Sequence, residues 1–338
     1  MKKFFASLLI AFSIGGLLTV PAQADETQSA LVLLDRVPAE KVIQNTDNAN
    51  VRADLTPGSS LSVTASDLNG VEQHTPGIEI SIDGVSSLIA VKPGLTAFKD
   101  GSSAEGLVEE STMGFRILRE IHDSSDPAQF AYQTNLPEDA GLIPVADGFL
   151  IASESAVFGY LGSPWAVDAQ RNYLPTSFTL ADGLLTQQVI VPADASYPIV
   201  VDPNWAYSFT YSTRTSPNSN WIKLHNCFNC YFPISGAPQW WPAPNELLPL
   251  IANMQNMECR MGTVVVGGLQ DYSWSFRATA NHLDGYGSHI TFSLRYVGGV
   301  PSLIVNAFIV NEPFVGRDLM LMFANSSWQT FATNLGYK

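Results

Sequence analysis

The chain has 338 residues, 46% of them hydrophobic and 14% charged, with 31 acidic side chains against 17 basic ones and a formal charge of −14. Such a surface repels phosphate backbones and anionic headgroups, and no basic cluster offsets it, which excludes nucleic acid from the expected partners. Basic or neutral partners, divalent cations and uncharged glycans stay open.

The first residues read as an export signal. Lys2 and Lys3 precede an apolar run from Phe4 to Val20, and Ala22-Gln23-Ala24 supplies small residues around a cut before Asp25. The expectation is a cleaved signal peptide (1–24), with an uncleaved membrane anchor as the competing reading. Cleavage leaves about 314 residues, and the loss of Lys2 and Lys3 takes the formal charge from −14 to −16. No later apolar segment is long and unbroken enough to span a bilayer, so no membrane contact is expected after cleavage. The expected location is extracellular.

Residues 25–55 form a lead-in segment. Leu31–Leu34 reads as a strand or short helix, and the polar stretch Asp35–Asn50 reads as flexible. From 56 to 203 short β-prone runs alternate with turn residues. Leu61–Ala65, Ile78–Ile82, Phe115–Ile121 and Phe130–Gln133 read as strands. Asp83-Gly84 signals one hairpin, and Ala181-Asp182-Gly183 signals a second between Phe178–Leu180 and Leu184–Val191. This is the pattern of a mainly β module, sandwich or barrel-like.

The texture changes after Asp202-Pro203, so a second module is expected over 204–338. Asn245–Met257 reads as a helix, with Asn245 as N-cap and Leu247, Leu250, Ile251, Met254 and Met257 as its stripe. Four β-prone runs follow: Thr263–Val266, Tyr272–Ala278, Ser288–Tyr296 and Leu303–Val310. Trp274 shares a face with Phe276, and Phe292 with Ile290 and Leu294. Val297-Gly298-Gly299-Val300 reads as a turn, and Asp318–Leu335 as a closing helix with Trp328, Phe331, Ala332 and Leu335 on one side. The expected class is α+β: an antiparallel sheet with a C-terminal helix, a shape that often encloses a ligand pocket.

Three segments carry a resemblance. Phe130-Ala131-Tyr132-Gln133-Thr134-Asn135-Leu136-Pro137, Pro164-Trp165-Ala166-Val167-Asp168 and Tyr197-Pro198-Ile199-Val200-Val201-Asp202-Pro203 stand in that order. Over roughly 55–205 the chain resembles an N-terminal region of modular secreted actinobacterial proteins of unknown function. The resemblance implies export and a modular build, and it carries no catalytic residues.

Three groups of residues bear on chemistry. Cys227, Cys230 and Cys259 are the cysteines. An exported chain favours a disulfide between Cys259 and one of the pair, closing a loop of about thirty residues worth roughly 3 kcal/mol. Zinc, with His225 or His282 completing a four-ligand set, and redox chemistry at the C-x-x-C are the alternatives. The stretch His282-Leu283-Asp284-Gly285-Tyr286-Gly287-Ser288-His289 offers His282, Asp284 and His289 as candidate catalytic groups, against the reading of a plain turn. Trp240, Trp241 and Tyr286 are candidate binding residues, with packing as the competing role. Glu109, Glu110, Asp123 and Asp126 read as solvated carboxylates rather than a glycosidase pair. No cofactor or metal is expected, because no phosphate loop, dinucleotide fingerprint, H-E-x-x-H or EF-hand is present. The leading expectation is a secreted, non-catalytic binding or interaction module with an extracellular partner. A secreted hydrolase using the 282–289 stretch and an antagonistic effector released by proteolysis are the rivals.

Overall fold

A computed structural model describes residues 21–44, 47–56, 60–66, 68, 76–100, 105–252, 255–311 and 316–337. The core of the expected signal peptide, residues 1–20, lies outside these. Helix α1 (Pro21–Asp35) runs through the expected cleavage point. Leu31–Leu34 is therefore helical, not a strand. Ala30, Leu33 and Val37 are buried with Leu95, Leu107 and Leu118, so α1 lies on a sheet. The lead-in is not loose either: Ile43 and Asn48 are buried, and a 3-10 turn occupies Ala39–Lys41.

The N-terminal strands are β1 (Val51–Thr56), β2 (Ser60–Ala65), β3 (Ile78–Asp83), β4 (Val85–Lys92), β5 (Leu95–Asp100), β6 (Glu105–Ser111), β7 (Gly114–Ile121) and β8 (Gln129–Thr134). They continue with β9 (Gly141–Val145), β10 (Gly148–Ala152), β11 (Val157–Gly162), β12 (Trp165–Val167), β13 (Thr176–Ala181), β14 (Leu184–Val189), β15 (Ile199–Asp202) and β16 (Asn204–Ala206). One sheet has the order β1-β2-β3-β8-β14-β13. The other has β4-β5-β6-β7-β16-β11-β10-β9, with β12 and β15 attached. The module is mainly β, as its alternation predicts.

The β13–β14 hairpin forms as expected. Asp182 and Gly183 take φ of 51° and 74° and pair Ala181 with Leu184, the positive-φ geometry of a two-residue turn. Asp83-Gly84 does not make a hairpin. β3 pairs with β2 and β8, whereas β4 pairs with β5. Gly84, at φ 80°, turns the chain from one sheet into the other. A local turn signal cannot distinguish these outcomes, because pairing partners are set by the rest of the sheet.

The C-terminal module is β17 (Ser208–Ser212), α2 (Pro217–Asn226), α3 (Phe228–Tyr231), β18 (Leu247–Ala252), β19 (Gln255–Gly268), β20 (Asp271–Ala278), β21 (His289–Val297), β22 (Val300–Phe308) and α4 (Arg317–Tyr337). Its antiparallel sheet has the order β17-β22-β21-β20-β19-β18. The Gly298-Gly299 turn and the closing helix are where the sequence puts them.

The helix expected over Asn245–Met257 is a hairpin instead. Leu248 and Leu250 are buried, while Leu247 and Ile251 are exposed, which is period two. Leu250 pairs with Met257 across the hairpin. Pro249 decides the matter physically: it would remove a bond from a helix interior, but it is tolerated in an edge strand such as β18.

Strands β20 and β21 have two different faces. Tyr272, Trp274, Phe276, Phe292 and Leu294 are buried on the face that carries the helices. Phe232, Trp328 and Phe331 pack against Phe292, with ring centroids 5.0–6.0 Å apart. On the other face stand Ser273, Ser275, Thr291 and Ser293, also buried. This hydroxyl face docks on the N-terminal module: Ala146 N donates to Ser273 Oγ at 2.9 Å, and Thr291 Oγ1 donates to Ala146 O at 3.1 Å. One hydrophobic core includes residues of both modules, and the chain crosses through buried Trp205, Tyr207, Phe209 and Tyr211.

Candidate functional site

The 282–289 stretch belongs to a ten-residue connection, 279–288, between β20 and β21. Successive turns hold it: His282 N to Thr279 O, Gly285 N to His282 O and Ser288 N to Gly285 O, each at 3.1 Å. Gly285 (φ 87°) and Gly287 (φ 98°) are needed for more than the turn, because a Cβ there would strike the Asn311 side chain and the Glu40 carbonyl. Asn311 N donates to Asp284 O at 2.9 Å.

Two side chains of this loop, His282 and Ser288, are committed to holding it. Asp284 N donates to His282 Nδ1 at 3.2 Å. Burial pushes the His282 pKa down, against the charge of Asp284. The ring is then neutral at pH 7, and its proton sits on Nε2. Burial raises the Asp284 carboxyl, whose Oδ2 is 3.5 Å from the same Nδ1. A catalytic triad needs that nitrogen to donate to the carboxylate, and here it accepts from the backbone. Ser288 Oγ donates to the Asp284 carbonyl and accepts from Val310 N at 2.8 Å.

A cavity lies on each side of the loop. The first, of about 240 Å³, lies between the helix-bearing face of the sheet and the first half of α4. Phe232, Leu250, Met257, Phe276, Met320 and Trp328 give it an apolar wall. His282, Asp284 and Ser288 bring polar atoms from the loop, and Gln255 and Ser327 add two more. The second half of α4 buries Phe331, Ala332 and Leu335 in the aromatic core, while the first half buries Leu321 and lines the cavity with Met320, Phe323, Ala324 and Ser327.

The second cavity, of about 410 Å³, is a polar cleft between the modules. The N-terminal module lines it with the Ala39–Lys41 turn, Arg116 on β7, Asp147, the Trp165 strand, Asp202 and Asn204, and the C-terminal module with Arg277, Tyr286 and His289. Arg116 and Glu109 are each 1% exposed and ion-paired, so Glu109 is not the solvated carboxylate expected from the sequence. Burial raises the Asp202 carboxyl to about 7, despite the charges of Arg116 and Lys41 and hydrogen bonds from Trp165. Burial also works on Asp147, but bonds from Arg277 and Ser275 outweigh it and hold that carboxyl near 2. His289 is the partition, lining both cavities. Its Nε2 is 3.4 Å from Tyr160 OH, its ring stacks on Phe308, and burial lowers its pKa to about 4.

The sequence candidates therefore separate. His282, Asp284 and His289 meet at the apolar cavity, and His289 and Tyr286 meet at the cleft. Trp240 and Trp241 reach neither. Trp240 is exposed with Nε1 on Glu246, and Trp241 packs against Trp221, His225, Phe228 and Trp274. Sequence reasoning missed Lys41, Arg116, Asp202 and Asn204. A usable signal was present, since Arg116 sits between Phe115 and Ile117 and Asp202 follows the apolar run Ile199–Val201, and a charge in such a run requires a partner when buried. Among the described residues no cluster of three or more His, Cys, Asp or Glu could hold a metal.

The cysteine pairing also differs from expectation. Cys227 bonds Cys230, with Cα atoms 5.4 Å apart, and Cys259 is free and buried. Cys227 ends α2 in an extended conformation (φ −157°), and α3 then carries Cys230 back beside it. Cys259 sits on β19 facing the apolar cavity, where burial pushes its thiol up to about 12. So short a loop gives little entropic stabilisation, about 2 kcal/mol at most. Replacing both Cys227 and Cys230 by serine is expected to cost no more than this in urea denaturation. A loss several times larger would mean that the bridge holds α2 and α3 in place.

The chain matches no protein-family model, no curated protein and no solved structure.

Proposed function

We propose that this chain is an exported binding protein whose C-terminal module takes a compact, largely apolar ligand under α4. The observation that carries the reading is the cavity of about 240 Å³, apolar along the sheet and helix and polar where the 279–288 loop closes it. Ligand sites combine apolar walls with a few convergent polar groups. The volume lies below the roughly 300–1,000 Å³ of drug-sized sites, which favours a small ligand. Neutral His282, with its proton on Nε2, suits a hydroxyl or carbonyl head group better than an ion.

Other features support binding over the rivals. The committed hydrogen bonds of Ser288 favour a stiffened loop over an activated serine. The core shared by both modules favours a chain that acts intact over one that releases its C-terminal part. The basic start, apolar run and small residues near Ala24 support export. Among the described residues no helix is long and apolar enough to cross a membrane.

Octanol, a chain with one hydroxyl, is a suitable probe. Calorimetric titration is expected to show binding that weakens at least tenfold in Ala324→Trp, since the indole would fill the cavity from α4. The thermal midpoint, measured alongside, should change little, because the indole would enter space that the cavity leaves open beside Ala324. No heat with octanol, or equal affinity in the variant, would overturn the reading.

A further inference from the structure

The polar cleft is separate from the apolar cavity and calls for a different ligand. Its charges are largely balanced. Arg116 is paired with Glu109, and Arg277 with Asp147. Glu40 accepts the Tyr173 hydroxyl at 2.5 Å. The cleft therefore lacks the one-signed field that concentrates an ion.

What the cleft offers is unspent hydrogen-bonding capacity beside ring faces. Asn204 is 7% exposed and lines the cleft, yet its side-chain amide has no hydrogen-bond partner among the described residues. Asp202 is 3% exposed, and its hydrogen bonds come from Trp165 alone. Buried polar groups are ordinarily satisfied, so an unpartnered amide lining a cavity, beside a carboxyl held only by Trp165, points to an occupant. The occupant must both donate and accept, because an amide presents both functions and a carboxyl near neutrality can do either. Tyr286, 63% exposed, also lines the cleft. Its ring gives an apolar face with a polar tip.

We propose that the cleft between the two modules binds an uncharged, hydroxyl-rich ligand, a single sugar unit, with Asn204 and Asp202 bonding its hydroxyls and Tyr286 covering one face. Sugars alternate donor–acceptor hydroxyls with C–H faces, and they carry no charge for the acidic surface to repel. The volume of about 410 Å³ lies within the usual span of small-molecule sites. Because both modules build the walls, neither alone would hold the ligand.

The test uses the full chain and saturation-transfer NMR with glucose, galactose, mannose and N-acetylglucosamine. At least one is expected to bind. Tyr286→Ala should weaken it at least fivefold, as should Asn204→Ala, while Ala324→Trp should leave it unchanged. Tyr286 is exposed, so its replacement tests the site without threatening the fold. No signal from any of the four sugars would overturn the proposal. So would binding that survives both cleft substitutions, or preferential binding of acetate or inorganic phosphate at Lys41. Because Ala324→Trp blocks only the cavity under α4, failure here and failure of the octanol reading are distinguishable.

Discussion

Arg116→Met is expected to destabilise the protein by roughly 3–5 kcal/mol, the range for breaking a buried ion pair from one side. Arg116 Nε and Nη2 donate to one oxygen of Glu109, and Nη1 donates to the Lys41 carbonyl at 2.5 Å. Its guanidinium also lies 5.8 Å from the centre of the Trp165 ring. Methionine keeps much of the volume but leaves the Glu109 carboxylate buried without its cation. It also unties the Ala39–Lys41 turn from β7 and removes one charge that opposes protonation of Asp202. The double variant Arg116→Met/Glu109→Leu should recover most of the loss, since replacing a whole buried pair by apolar groups is often near neutral. Urea denaturation of the two variants decides the matter. Equal losses in both would show that the guanidinium acts through Lys41 and Trp165, not through the ion pair.

The second large effect is on pH dependence, and it has opposite signs at two residues of the cleft. Asp202 has a folded pKa of about 7 against an unperturbed 3.8. Between these values the folded chain keeps a proton that the unfolded chain has released. This contribution is fully present below the unfolded value and is lost as pH rises through about 7. A shift of about three units corresponds to something on the order of 4 kcal/mol. His289 runs the other way. Its folded pKa is about 4 against 6.5, so its contribution is present above the unfolded value and is lost as pH falls toward 4. Arg116 and Lys41 face Asp202, and Asp147, Arg277 and Lys41 face His289. In the native chain the two slopes oppose each other. Asp202→Asn is expected to gain stability over the parent progressively from pH 4 to 7. His289→Gln is expected to gain over the parent on the acidic side only, and then to lose stability as pH rises. Denaturation at several pH values should reveal diverging curves, and two variants that run parallel to the parent would show that neither group titrates within the folded cleft.

Much of the architecture is written in local patterns. Alternation in Leu61–Ala65, Ile78–Ile82 and Tyr272–Ala278 places strands, and Asp182-Gly183 and Gly298-Gly299 place hairpins. Each rests on side-chain direction or φ within a few residues. The run Leu247-Leu248-Pro249-Leu250-Ile251 misleads because a short apolar stretch fits either period until its exposed positions are known. The Cys259 pairing misleads because a disulfide depends on where two distant segments meet. The 282–289 stretch was legible as a feature of the surface, but not as a partition between two cavities.

The sequence by itself determined an acidic, β-rich chain that closes with an amphipathic helix, because charge, alternation and a 3.6-residue stripe are properties of neighbours along the chain. Only the tertiary structure decided that Ser273, Ser275, Thr291 and Ser293 face another module and not water. Only it brought Lys41, Arg116, Asp202, Asn204 and His289 to one cleft. The reason is physical: burial and unspent hydrogen bonds depend on what lies opposite a side chain, and nothing in a strand's own alternation says whether its polar face meets solvent or a second sheet.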